Sequence, residues 1–174
     1  MAILVVGGAG YIGSHIIRAL QEKKREAVVF DNLYRGHRQA IWEAAFFQGD
    51  LRSKTDVQKV FQDHAVEAVV HCADYCLVDE SMQAPERYYE NNVSGTLNLL
   101  AAMHEAGISR LVYTSSGAVY GEPERIPIDE EHQQIPASGF FPDIHHPPGD
   151  PAFYFILQQR ACSCKFHGPF QGHG

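Results

Sequence analysis

Seven residues near the N-terminus, Gly7-Gly8-Ala9-Gly10-Tyr11-Ile12-Gly13, carry the densest chemical signal in the chain. Gly8, Gly10 and Gly13 satisfy G-x-G-x-x-G, and Gly7, Gly10 and Gly13 satisfy the related G-x-x-G-x-x-G. The chemistry of such a turn is anion binding. Between a strand and a helix it aims backbone N–H groups and the positive end of a helix dipole at one spot, where a Cβ would obstruct an approaching pyrophosphate. Asp31 comes 18 residues after Gly13, at the end of the next apolar run. A carboxylate there accepts both hydroxyls of a ribose and repels a 2′-phosphate, so the pattern reads as a dinucleotide site favouring NAD over NADP.

Such residues need strands to place them. Ile3–Val6 is a short apolar run, and Ile12, Ile16, Ile17 and Leu20 then fall at helical spacing, predicting a first helix that ends near Lys24. Further strands are expected at Ala27–Phe30, Ala45–Phe47, Ala68–Cys72 and Leu111–Thr114. Ser53 can cap a helix whose Val57, Val60 and Phe61 share a face. The longest helix is predicted from Ala84 to Ala106, with Tyr89, Val93, Leu97 and Leu100 as its buried stripe and Gly107 as its left-handed stop. Apolar strands without alternation, each followed by a helix, make the fold class α/β: a doubly wound, Rossmann-like parallel sheet buried on both faces.

The chain has 174 residues and a formal charge of −7, with no run near the length of a membrane span. No basic patch is available to nucleic acid or an anionic membrane. Met1–Val6 lacks the basic start of a signal peptide, and four cysteines without a secretory signal read as reduced thiols in a cytoplasmic protein. Composition breaks near residue 130. Residues 131–174 hold 5 of the 35 charged residues but 6 of 9 prolines, 5 of 10 histidines and 6 of 10 phenylalanines. That stretch has too few periodic apolar positions to build helices or strands. Residues 1–130 therefore read as one incomplete dinucleotide-binding domain and 131–174 as an atypical tail, not a native domain. Cys162, Cys164 and the tail histidines lack the usual C-x2-C spacing, so no metal site is expected. Cys72 and Cys76 read as packing residues, and His71 as a strand-end structural histidine.

Asp31-Asn32-Leu33, Gly49-Asp50-Leu51, Glu80-Ser81, Pro85, Tyr88-Tyr89, Asn91-Asn92-Val93, Gly95-Thr96-Leu97 and Val119-Tyr120-Gly121 join the glycine turn in one further pattern. Together they resemble the UDP-glucose 4-epimerases of the extended short-chain dehydrogenase/reductase family, over roughly residues 1–130. The resemblance implies bound NAD that takes a hydride from the sugar 4-OH and returns it to the other face of a rotated 4-keto sugar. It places Gly7, Gly10, Tyr11, Ile12 and Gly13 around the pyrophosphate, Asp31 and Asn32 at the adenosine ribose, and Asp50 and Leu51 beside the adenine. Ala73 and Asn91 would border the nicotinamide half. Ser115 precedes Ser116, which matches the serine or threonine that hydrogen-bonds the 4-OH.

Four positions depart from that pattern. Asp74 and Asp79 stand where small residues are usual, and either would crowd or repel the cofactor phosphates. The family's Tyr-x-x-x-Lys is missing: Phe141 and His145 occupy its ungapped positions, and Tyr154 is followed four residues later by Gln158. A lysine on the same helix face lowers the pKa of the tyrosine, so that its phenolate can take the 4-OH proton. The expectation is a catalytically deficient, truncated epimerase whose tail begins at a frameshift after Glu130 or Glu131. The resemblance implies a UDP-sugar as the intact family's partner, and a homodimer or pairing with a complete homologue. Two alternatives are a non-catalytic NAD-binding module and another NAD-dependent sugar-nucleotide enzyme, a dehydratase or decarboxylase.

Overall fold

The computed structural model describes residues 1–115, 120, 124–129, 131 and 132. Residues 1–115 belong to one compact unit and the remainder to a second. In the second, Arg125 Nη2 pairs with Asp129 Oδ1 at 2.8 Å, and the Tyr120 and His132 rings meet edge to face at 6.1 Å.

The first unit is a five-stranded parallel sheet: β1 (Ala2–Val6), β2 (Ala27–Asp31), β3 (Ala45–Gln48), β4 (Val66–His71) and β5 (Leu111–Tyr113), in the order β3-β2-β1-β4-β5. The order reverses between β1 and β4, which opens a crevice at their carboxyl ends. Alternate residues of β1 feed two cores. Leu4 and Val6 pack with Val57, Val60, Leu99 and Met103 from α2 (Lys54–Asp63) and α5 (Thr96–Glu105), whereas Val5 packs with Val29, Ile41 and Ile17 of α1 (Tyr11–Glu22). Burial on both faces is why the central strands read as continuous apolar runs. At the margin the cover thins, and Val112 in β5 is 49% exposed.

Local chemistry sets the helix ends. Asp56 N–H donates to Ser53 Oγ at 3.2 Å, as expected of an N-cap. After α5, Gly107 adopts φ +72°, with Ile108 N–H to Met103 O and Gly107 N–H to His104 O completing a Schellman ending.

The predicted Ala84–Ala106 helix needs correction. It divides into α4 (Pro85–Tyr88), a π-helical segment at Tyr89–Gly95, and α5; the short α3 (Val78–Gln83) precedes it. The wider π turn shifts the helical phase. Tyr89 and Leu97, expected in the buried stripe, are exposed, and Tyr88, Asn91, Thr96, Leu99 and Met103 face inward.

Candidate functional site

The glycine turn joins β1 to α1 at the crevice. Gly7 has φ +76°, and a Cβ on it would lie 2.8 Å from Ala73 Cα. A Cβ on Gly13 would lie 2.6 Å from Gly8 Cα and closer still to Gly7 O, so the helix and the turn meet backbone to backbone. Gly10, the α1 N-cap, offers no side chain to cap the helix, and no acidic residue stands in the first turn. The leading amide N–H groups are thus left for an anion. Tyr11 and Ile12 are exposed beside them. This backbone cradle fits the pyrophosphate of a dinucleotide.

Asp31 ends β2 and is buried. Its Oδ2 accepts Ala9 N–H at 3.0 Å and its Oδ1 accepts Leu33 N–H at 2.8 Å. The carboxylate therefore pins the turn to the neighbouring strand, a role the sequence reading did not include, and each oxygen keeps a lone pair for a ribose hydroxyl. Asn32 donates from Nδ2 to Asp50 Oδ2 at 3.1 Å. Asp50 also takes both the Nε and Nη2 protons of Arg52, at 2.9 and 2.7 Å, which holds its carboxyl well below the usual range. Leu51 is a core residue against Gly95, and its carbonyl accepts from Asn98.

On the other side of the crevice the π segment explains the Asn91-Asn92 pair. Asn91 Nδ2 donates to Ala73 O at 2.9 Å, while Asn92 accepts from Tyr75 N–H at 2.8 Å and donates to Tyr75 O at 2.9 Å. Two adjacent side chains thus grip the loop after β4.

That loop starts from a histidine with a structural role. His71 is fully buried, with Ala73 N–H directed at its Nδ1 at 3.3 Å and Nε2 standing 3.0 Å from Thr96 Oγ1. Nδ1 is the acceptor, so the proton sits on Nε2; burial pushes the pKa down to about 4 and keeps the ring neutral. Burial pushes the Cys72 thiol up to about 11, while Cys76 is exposed.

Asp74 does not lie among the turn's amides. Its Oδ2 accepts the Tyr113 hydroxyl, and its buried Oδ1 has no hydrogen-bond partner. Burial raises its pKa to about 6, against the lowering effect of the Tyr113 bond. Asp79 is exposed in the first turn of α3.

Glu80 accepts from Arg35 Nη2 at 2.6 Å, Arg87 Nη1 at 3.0 Å and the Tyr88 hydroxyl at 3.1 Å. Arg87 Nη2 also donates to the Tyr34 hydroxyl at 2.8 Å. Because β1 lies between β2 and β4, a bond from the loop after β2 to the segment after β4 crosses the end of β1. Arg35–Glu80 is therefore a strap over the glycine turn. Glu80 was legible as part of a pattern, but its partners were not.

Ser115 is exposed just past β5, whereas Ser116, Phe141, His145, Tyr154 and the tail cysteines lie outside the described residues. Among the described residues no three His, Cys, Asp or Glu side chains are placed to hold a metal, and no helix is long and apolar enough to cross a membrane. A concavity of about 1120 Å³ opens at the amino ends of β1 to β3, between Arg18, Arg25, Trp42 and His64, away from the glycine turn.

The crevice has counterparts in known proteins. A UDP-glucose 4-epimerase of Lactobacillus helveticus is 47% identical over 132 residues, covering 75% of this chain and 40% of the relative. The Thermus thermophilus UDP-glucose 4-epimerase, solved as a complex with NAD, superposes with a TM-score of 0.72 at 39% identity, over 80% of this chain and 46% of that one. The Thermotoga maritima enzyme, solved with UDP-glucose, gives 0.69 at 32% identity, over 80% and 46%. The chain spans about two fifths of the length of the Lactobacillus relative. Residues 3–140 match the description of one family throughout, and with a 3-2-1-4-5 sheet and a backbone cradle at its reversal this chain belongs to it: the NAD dependent epimerase/dehydratase family.

Proposed function

We propose that residues 1–130 form the NAD-binding part of a UDP-glucose 4-epimerase-type protein. The observation that carries this reading is the uncapped start of α1, packed against a glycine turn that admits no Cβ at Gly7 or Gly13. The pyrophosphate would sit on the amides of Tyr11, Ile12 and Gly13, with Gly7 and Gly10 lining the turn, and the adenosine ribose on Asp31 and Asn32. The adenine lies beside Asp50 and Leu51, and the nicotinamide half near Ala73 and Asn91.

NAD, when bound, supplies reversible hydride transfer. The chain's part is to hold it. Asp31 takes the ribose hydroxyls and excludes a 2′-phosphate, while Asn91 and Asn92 fix the loop after β4. Ser115 stands past the end of β5, and Ser116, next in the sequence, would hydrogen-bond the sugar 4-OH. Proton removal is the weak step, because Phe141 has no proton to exchange and Gln158 no charge with which to tune Tyr154. Losing a positioned general base slows such chemistry by about 10²- to 10⁴-fold. The 174-residue chain is on this reading a cytoplasmic NAD-binding protein of low epimerase activity, working as a homodimer or beside a complete homologue, with the residues from 131 onward outside the cofactor domain.

Calorimetric titration of the full chain tests this reading. NAD is expected to bind and to raise the melting temperature, and NADP to do neither. Failure of NAD to bind overturns it. Interconversion of UDP-galactose and UDP-glucose at an ordinary epimerase rate would overturn the assignment of low activity alone.

A further inference from the structure

A dinucleotide laid across the reversal point places its two nucleosides over different halves of the sheet. With the adenosine ribose at Asp31 on β2, the nicotinamide half falls over β4 and β5. Asp74 lies in that half, three residues past the end of β4 and bonded through Oδ2 to the Tyr113 hydroxyl of β5. Its Oδ1 is buried without a hydrogen-bond partner. His71 Nε2 stands 3.9 Å from that oxygen, but the ring is neutral and its proton faces Thr96. A carboxylate is thus held in a partly dry place, half used.

Accepting one tyrosine hydroxyl does not require a charge, since an asparagine carbonyl would accept it without the penalty of burying an anion. The charge itself is the unexplained part. The two redox forms of the cofactor share every group except the nicotinamide ring, which is cationic when oxidised and neutral when reduced. We propose that Asp74 selects the redox form of the dinucleotide, holding NAD+ in preference to NADH through the charge of its free oxygen. This rests on the NAD-binding reading above and deepens it.

The geometry carries a pH signature. Among the described residues, the titratable groups facing Asp74 are His71 from β4, Cys72 just after it and Tyr113 from β5. Burial keeps the histidine neutral above about pH 4, the thiol protonated to about 11, and the phenol protonated beyond its ordinary range. Asp74, raised to about 6, is the member of this cluster that changes charge between pH 5 and pH 8. Preference for the cationic ring therefore strengthens as pH rises through that window.

The test is the ratio of NADH to NAD+ dissociation constants on the full chain from pH 5 to pH 8, by calorimetry and NADH fluorescence, for the wild type and Asp74→Asn. The wild type is expected to favour NAD+ by about tenfold more at pH 8 than at pH 5, and the variant to show a flat ratio. A variant that binds both forms with the wild-type ratio and pH dependence overturns the proposal. Should the variant fail to fold by circular dichroism, the wild-type series decides alone: a constant ratio across the range is fatal. If the wild type binds neither form, the NAD-binding reading falls, and this inference with it.

Discussion

Replacing Gly13 with alanine separates the two jobs of the glycine turn. A Cβ there would stand 2.6 Å from Gly8 Cα and 2.9 Å from the carbonyl carbon of Gly7, with the Gly7 oxygen nearer still. All three obstacles are backbone, so no side chain can rotate away. Ordinary contact between carbon atoms needs about 3.5 Å or more, so α1 and the turn must part by about 1 Å. Gly13 is buried, and overpacking of this kind costs about 1–3 kcal/mol, roughly a 3–10 °C fall in melting temperature for a unit of this size. The functional loss is expected to be larger than the stability loss. The same displacement would pull the amides of Tyr11 to Gly13 off a bound anion, and hydrogen bonds weaken steeply with misalignment.

Two control substitutions isolate the cause. Alanine at Gly10 would meet only Gly7 O at 3.3 Å, and the residue has extended backbone angles, so a small change in stability is expected, although its Cβ would stand at the site proposed for the pyrophosphate. Alanine at Gly107 meets nothing within 4 Å but must adopt φ +72°, costing about 1 kcal/mol with NAD affinity unchanged. Chemical denaturation should therefore rank Gly13→Ala lowest in stability, and NAD titration should leave Gly107→Ala alone with wild-type affinity. A Gly13→Ala protein that melts like Gly10→Ala would refute the backbone-contact argument.

Other perturbations probe the second side of the crevice. His71, depressed to about 4, contributes stability that is complete above its unfolded pKa of 6.5 and is lost as pH falls towards 4, whereas Asp74, raised to about 6, contributes stability complete below 3.8 and lost as pH rises through 6. The two slopes oppose each other between pH 4 and 6, so Asp74→Asn should steepen the acid limb by up to about 1.4 kcal/mol per pH unit and raise stability at pH 7, measured by urea denaturation. Asn91→Ala leaves the Ala73 carbonyl without its 2.9 Å donor and should cost about 1–3 kcal/mol by the same method. Glu80→Gln weakens the strap to Arg35 and Arg87, and stopped-flow mixing should show NAD both entering and leaving several-fold faster.

What could be read from the sequence was local. The glycine turn, the Ser53 cap, the Gly107 stop and the five strands each depend on residues a few positions apart, and each appears where its pattern placed it. The failure at Tyr89–Gly95 has a tertiary cause. Asn91 and Asn92 both reach the loop after β4, which a regular α-helical turn would not permit for consecutive residues, and the helix widens there. A periodicity count extends the α phase through that segment and so puts Tyr89 and Leu97 on the wrong face. Partners such as Tyr113 for Asp74 and Arg35 for Glu80, 39 and 45 positions away, leave no periodic trace at all.

Three carboxylates that follow successive strands show how one residue type is put to different uses. Asp31 spends a lone pair of each oxygen on a backbone amide, one of them in the glycine turn itself, so its charge helps to shape the cradle. Asp50 is clamped by the guanidinium of Arg52 and the amide of Asn32, which neutralises much of its field at the end proposed for the adenine. Asp74 has a tyrosine hydroxyl on one oxygen and nothing on the other. On the proposed reading, an anionic pyrophosphate at the start of α1 would be bordered by two carboxylates already offset by donors, and the one left uncompensated would lie towards the nicotinamide. That distribution suits a ligand that is negative at its centre and positive at one end, which is the charge pattern of oxidised NAD. It also bears on an aspartate in a position where the resemblance expects a small residue: one oxygen of Asp74 is taken by the Tyr113 hydroxyl of β5 and not by an amide of the turn.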